Sequence, residues 1–383
     1  MKLPTDQSIT IVTHRLYNGV SDDLARYLID QDIENVWFIS HDFAASTSRV
    51  SRIVHYKNSQ IVLERCTRDY RAFPEVLVYL KDIVVTFWWL RFLVRDTRVV
   101  VGFGAFNTLG GLVLRHRLRV STVIFYSVDF VPHRFDSSFL NLIYHWIDKV
   151  ALERSDERWN LSPRMAEGRE RLFHLDSKKY HQQVVPVGLW LKDFPNYNIE
   201  QINRYELIFV GHLLEKQGIQ LVLSAMTEIK KVISECRFRI IGSGDYEDKL
   251  RKTVLELGLE ESVIFEGAIF DQTIVNEKLA RAAVGVALYS KELDTFTYYA
   301  DPTKIKTYLA AGLPVLLTDV PYNATEIAQN GAGIIVAYDE KELAQVVIEV
   351  MQDQDKLIRY RKAALEYSRR FDWADIFNGQ FTN

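Results

Sequence analysis

The chain has 383 residues, 48% hydrophobic and 12% aromatic, with 47 Lys/Arg against 50 Asp/Glu and a formal net charge of −3. That length predicts two domains, each with apolar mass enough for its own core. The near-neutral balance excludes nucleic-acid binding by bulk field, and two distant cysteines, Cys66 and Cys236, suggest neither a disulfide framework nor a zinc site.

Residues 1–12, MKLPTDQSITIV, lack a basic segment followed by an apolar one, so no signal peptide is expected and a reducing, cytoplasmic setting fits. Residues 9–14 read as a buried strand, followed by a loop with Asn18 and Gly19, a helix carrying Leu24, Tyr27 and Leu28, and a second strand at 36–40. This order predicts a Rossmann-like sheet. No GxGxxG follows the first strand, so a dinucleotide is not expected. Short strands are expected within 50–71, as at 61–66.

Residues 73–95 form an apolar helix whose uncharged core, 83–90, is only eight residues long, too short to span a bilayer. Two readings stand: a helix packed under the sheet, or one lying in a membrane interface with Trp88 and Trp89 at headgroup depth and Arg91 and Arg95 on phosphates. Residues 49–119 hold 13 Lys/Arg and 5 Asp/Glu, a patch suited to anionic lipid or a phosphorylated acceptor, or a solvated face. A strand at 99–104, a helix from Thr108 ending in the basic run 115–119, and a strand at 122–128 follow. Asp129 then stands where open α/β sheets bind ligands, beyond a strand's carboxyl end; it is a catalytic candidate or a turn carboxylate. A helix from Arg164 and a strand at 182–188 close the first domain, and 189–204, with Pro195, Asn196 and Asn198, reads as a linker.

The second half alternates strand and helix regularly, with strands at 206–211, 237–244 (with its glycine turn), 262–267, 284–290 and 332–336, predicting a parallel sheet covered on both faces. Its central stretch is 298–319, YYADPTKIKTYLAAGLPVLLTD. Asp301 suits an N-cap, Pro302 the first helical position, Gly312 a left-handed C-cap, and 315–317 a buried strand. Backbone amides and the macrodipole at such a helix start favour an anion, and Lys304 adds a full charge. A capped helix with a solvated lysine is the plainer reading of the same residues.

The run PTKIKTYLAAGLPV resembles the nucleotide-sugar signature of GT-B glycosyltransferases of the group 1, glycogen-synthase-like superfamily. The resemblance covers nearly all of 205–377. It departs at Thr307, where retaining members usually have a glutamate, and near Tyr299, where a paired acidic residue would fall; Asp301 is the nearest carboxylate. The first domain is more loosely similar to that of the inverting xanthan glucuronosyltransferase, with Asp129 at the position of its general base and Ser162-Pro163 at a matching strand end.

The resemblance implies an α/β GT-B fold: two Rossmann-like domains with parallel sheets facing across a cleft, an acceptor domain at 1–188, a linker at 189–204, a nucleotide-sugar domain at 205–371, and a segment at 372–383 returning to the first domain. It implies glycosyl transfer from a UDP- or GDP-sugar to a glycan or polyprenyl-diphosphate-linked acceptor, on the inner face of the cytoplasmic membrane if the basic patch meets lipid. Lys304 and Asp129 would be catalytic. His212, Lys216, the glycine turn Gly242 and Gly244, Gly267, Ala268, Tyr289, Asp301, Pro302, Thr303 and Thr307 would surround the donor, and His14 and Gly19 would face the acceptor. No cofactor and no metal are expected, because fixed cations can take the metal's place at the leaving diphosphate. A retaining transferase, an epimerase of similar fold and a non-catalytic sugar-binding subunit remain as alternatives.

Overall fold

The computed structural model describes residues 8–381 except 16–18, 44, 45, 47, 95 and 293–295; Asn18 and Arg95 therefore lie outside the described residues. The chain divides into two compact units, 1–186 with 373–383, and 187–372.

Unit 1 begins β1 (Ser8–Arg15), α1 (Val20–Asp30), β2 (Asn35–Asp42), β3 (Ser51–Lys57), β4 (Gln60–Cys66) and α2 (Glu75–Phe92). It continues β5 (Val99–Phe103), α3 (Ala105–Val113), α4 (Arg115–Leu118), β6 (Thr122–Ser127), α5 (Ser138–Arg154), β7 (Glu157–Asn160), α6 (Pro163–Phe173) and β8 (Gln183–Val184). The sheet order is β4-β3-β2-β1-β5-β6-β7-β8. β1, β5 and β6 are β-branched runs buried on both faces, as parallel central strands must be. The sheet is not wholly parallel: β3 and β4 pair antiparallel at its edge. Asn58 and Ser59 both take positive φ, 47° and 64°, the handedness a tight two-residue hairpin needs.

Unit 2 contains β9 (Glu206–Val210), α7 (Ile219–Val232), β10 (Arg237–Ile241), α8 (Glu247–Glu256), β11 (Val263–Gly267), α9 (Gln272–Arg281) and β12 (Val284–Ala287). Then come α10 (Phe296–Tyr299), α11 (Thr303–Ala310), β13 (Val315–Leu317), α12 (Ala324–Gln329), β14 (Gly333–Ile335), α13 (Glu340–Gln352) and α14 (Gln354–Ser368). All six strands are parallel, in the order β11-β10-β9-β12-β13-β14. The last helix, α15 (Trp373–Phe381), belongs to unit 1, where Phe377 and Phe381 pack on Tyr27 of α1 and Phe381 meets Trp159 of β7.

Three expectations change. The stretch 189–204 is not a free linker. Ile202 is buried in the unit 2 core and Tyr197 and Ile199 pack against it, so apolar contacts override the proline- and asparagine-rich composition. The boundary falls instead at 186/187. The helix after β5 begins at Ala105, three residues before Thr108, and the strand expected at 182–188 shortens to two residues.

Each sheet reverses its strand order once. In unit 1 the chain runs outward from β1 to β4 and returns to pair β5 on the other side of β1; in unit 2 it runs from β9 to β11 and returns to pair β12 on the other side of β9. Crevices at such switch points, beyond the strand carboxyl ends, are where α/β sheets bind ligands.

Candidate active site

At the unit 2 switch point three loops are tied together by backbone. Gly211 N donates to Ile241 O (3.0 Å), Leu213 N to Ser243 O (3.0 Å) and Gly242 N to Gly267 O (2.8 Å). Gly242 is at φ 140°, and a Cβ there would lie 1.9 Å from Gly211 O, so the two turns touch only because residue 242 lacks a side chain. Lys304, in the first turn of α11, reaches over Gly211: a Cβ on Gly211 would lie 3.0 Å from its Nζ. The ammonium donates to Gln217 Oε1 (2.6 Å) and rests 4.0 Å from the ring centroid of Phe209 and 5.5 Å from that of Tyr289. Aromatic faces hold a cation without neutralising it.

Around this ammonium the structure gathers most of the expected donor residues. His212 is exposed beside Gly244, whose Cβ would come within 2.9 Å of His212 Cδ2. The carbonyl of Lys216 accepts from Ser290 N (3.2 Å), and its Nζ lies 5.7 Å from the Phe296 ring. Tyr289 is buried, ending the segment after β12, and its carbonyl accepts from Thr318 Oγ1 (2.8 Å). Gly267 ends β11, the exposed Ala268 follows it, and Thr303 is exposed at the start of α11.

Asp301, Pro302 and Thr307 depart from expectation. α11 starts at Thr303 with Pro302 as N-cap, and no side chain caps it. Asp301 has turned inward. Its Oδ2 accepts from Lys306 Nζ (2.5 Å) and from Val187 N (2.7 Å), and Lys306 also donates to Val187 O (2.6 Å). Both side chains are fully buried, so the carboxylate cannot meet a ligand. Burial pushes the Asp301 carboxyl up and the Lys306 ammonium down, each opposed by the other's charge. The Thr307 hydroxyl donates to Thr303 O (3.0 Å) within its own helix. Leaving the first turn uncapped by a side chain keeps its amides suited to an anion.

In unit 1, His14, the penultimate residue of β1 at that sheet's switch point, faces a polar cluster that sequence reading missed. His14 Nε2 lies 3.3 Å from Asp82 Oδ2, Lys81 Nζ 2.5 Å from Asp82 Oδ1, and Ser51 Oγ donates to the same carboxylate (2.9 Å). His41 bridges Ser51 Oγ (2.8 Å) and Thr86 Oγ1 (2.7 Å) and stands 3.2 Å from Asp82 Oδ1. One signal was available: Lys81 and Asp82 are lone charges inside an apolar helix. Gly19 is the N-cap of α1 in ordinary extended backbone, its N–H bonded to Asp22 Oδ2 (3.1 Å); nothing in the packing requires glycine there.

This cluster sets an acid limit. Burial lowers the His41 imidazole to about 4, against the pull of Asp82. Burial pushes Asp82 up, but the bonds from His14, His41 and Lys81 prevail and hold it well below the carboxylate range. Both folded pKa values are depressed, so the unfolded chain takes up protons first and stability is lost as pH falls. The His41 contribution is complete above about pH 6.5 and disappears by about pH 4; that of Asp82 follows below about pH 4. The expected loss across the His41 window is on the order of 3 kcal/mol. Acid unfolding followed by tryptophan fluorescence should show it, since Trp89 stacks on His41, and His41→Gln should flatten that part of the curve.

Asp129 lies two residues beyond β6 and is partly exposed. Arg134 Nη1 donates to its Oδ2 (2.5 Å), and the guanidinium also lies over the Tyr144 ring, 5.1 Å from the centroid. Ser162 caps α6, accepting from Met165 N (3.2 Å) with Pro163 at the first position.

Two α/β units of this kind, with a ligand-ready switch point in each, define the GT-B class. Sucrose-phosphate synthase from Thermosynechococcus elongatus superposes with a TM-score of 0.69 at 15% identity, covering 98% of both chains. Anabaena HepE, solved in complex with UDP, gives 0.65 at 14% identity over 97% of this chain and 98% of its own. Residues 204–353 match the family described as Glycosyl transferases group 1. The Alpha-monoglucosyldiacylglycerol synthase of Streptococcus pneumoniae is 27% identical over 190 residues, 45% of this chain and 40% of the synthase. The chain thus matches under half the length of this relative, and the same holds for the other curated relatives it matches.

Proposed function

We propose that the chain is a glycosyltransferase that moves a sugar from a nucleoside-diphosphate sugar to a glycan or lipid-linked glycan acceptor. The observation that carries this reading is the Lys304 ammonium, seated on Phe209 above the Gly211 turn beside the uncapped start of α11. Departure of the nucleoside diphosphate concentrates negative charge on its terminal phosphate. Lys304, Lys216 and the first amides of α11 would stabilise that charge where it develops, which would make a divalent metal unnecessary; undiminished transfer in excess EDTA is the matching expectation. The match to group 1 transferases and the UDP held by a protein of the same fold support a nucleotide-sugar donor.

In the inverting form, Asp129 takes the acceptor hydroxyl proton as that oxygen attacks the anomeric carbon. Its salt bridge to Arg134 must loosen for the proton to transfer. Asp129→Asn is expected to lower kcat about 10²–10⁴-fold, the usual contribution of a placed base, and NMR of the product should show inverted anomeric configuration. Near-normal transfer by this variant would remove Asp129 from the chemistry. A retaining reaction is the second reading: the pneumococcal relative is named for an alpha product, although residue 307 supplies no carboxylate and Asp301 is locked to Lys306.

The test of the whole reading is a thermal-shift series with UDP- and GDP-sugars followed by transfer assays. A donor that binds only the folded chain raises its apparent stability. Binding without turnover on any acceptor would leave a non-catalytic sugar-binding protein, and release of a free altered sugar nucleotide would indicate an epimerase. We further propose that the acceptor is lipid-linked and is met at the cytoplasmic face of a membrane, on the strength of the basic excess at 49–119.

A further inference from the structure

The three connections β4–β5, β5–β6 and β6–β7 all step in one direction along the unit 1 sheet. Right-handed crossovers therefore place α2, α3 and α5 in one layer on the same side. Two helices of that layer turn apolar stripes to solvent. On α2, Val84, Trp88 and Phe92 are 65%, 48% and 59% exposed at four-residue spacing; on α5, Phe139, Leu142 and Trp146 are 68%, 67% and 65% exposed at helical spacing. α2 packs into the unit 1 core through Val78, Trp89 and Leu90, so Trp89 is not at a surface as the interface reading had it, while Trp88 and the rest of the other side stay open. α5 gave no such sign in sequence, and Val113, at the end of α3, is also exposed. Among the described residues, no helix is long and apolar enough to cross a membrane.

Charge borders this apolar layer. Arg91 near the end of α2, and His116, Arg117 and Arg119 in and after α4, are exposed, and 75–119 carries seven Lys/Arg against three Asp/Glu. Apolar patches rimmed by polar groups mark docking surfaces. Stripes with tryptophans and flanking arginines match a bilayer interface, where indole sits at headgroup depth and guanidinium meets phosphate. A second copy is a poorer occupant: a two-fold contact sets the same patch against itself, bringing the arginines of each copy together.

We propose that this layer of unit 1 lies on an anionic bilayer, with the α2 and α5 stripes inserted at the boundary of headgroups and acyl chains and Arg91, Arg117 and Arg119 on lipid phosphates. The proposal deepens the membrane contact of the reading above, from which it takes its partner; its test is independent of donor binding.

The test is flotation of the full chain with vesicles of phosphatidylglycerol and phosphatidylcholine, compared with phosphatidylcholine alone. The wild type is expected to float at least tenfold better with the anionic vesicles. Leu142→Glu with Trp146→Glu, and separately Val84→Glu, should each cut that binding about tenfold, and Arg117→Glu with Arg119→Glu should remove its salt dependence. All these sites are exposed, so the variants should fold, and any thermal shift given by a nucleotide sugar should be unchanged. No flotation, flotation indifferent to the variants, or a wild-type dimer that the α5 variant disperses would overturn the proposal. Flotation that persists in a protein showing no nucleotide-sugar shift would instead defeat the donor reading and leave this surface standing.

Discussion

Lys304→Ala is expected to lower kcat about 10²–10³-fold, the usual loss when one fixed donor to a developing anion is removed. Donor binding should weaken with it, because the ammonium would face the diphosphate before as well as during bond breaking. The fold should change little. Among the described residues, Lys304 is half-buried, donates to Gln217 and sits on Phe209; losing these contacts costs about 1 kcal/mol or less. Steady-state kinetics with a saturating acceptor, beside calorimetry of both proteins, measures the two effects together. Lys304→Arg is the informative companion, since it keeps the charge but places a larger planar group against a glycine turn that leaves little room. Wild-type turnover by the alanine variant would take Lys304 out of the site and the diphosphate reading with it.

Two residues further on, Lys306→Met should have the opposite profile. It leaves the Asp301 carboxylate fully buried against Val187 N without its cation. Removing one member of a buried pair costs about 3–5 kcal/mol, because the remaining charge is neither solvated nor matched. The expected result is a large fall in the unfolding temperature of unit 2, seen by calorimetry, with loss of activity only as the folded fraction falls. The double change Asp301→Asn with Lys306→Met should recover much of that loss, since replacing a buried pair by neutral groups is often nearly neutral. If Lys306→Met is as stable as the wild type, the pair does not bear on the fold of this segment.

These two lysines share one helix, one charge and nearly one position, and local sequence gives no ground for separating their roles. The same holds for Asp301, whose type and place suit an N-cap but whose carboxylate is drawn inward by Lys306 and Val187 N. In unit 1, Asp82 and His41 come from α2 and β2 and meet only through packing, which is why His14 was visible as a strand-end histidine while its partners were not. The stretch 189–204 looked like a linker because its polar and proline residues are local facts, while the burial of Ile202 is not.

The sequence by itself determined the alternation of strands and helices, the glycine turns, the α11–β13 motif and the GT-B class. The first three follow from periodicity, caps and turn residues, which act over a few neighbouring positions, and the class from the resemblance of residues 302–315 to a family signature. Only the tertiary structure decided which lysine is sealed against Asp301 and which rests over Gly211, which carboxylate is sealed, and which helix faces remain uncovered. Burial sets those outcomes, and it depends on what distant segments bring against a side chain: desolvation and a matched partner make Lys306 structural, while Lys304 stays partly exposed above Gly211, where the proposed diphosphate would lie.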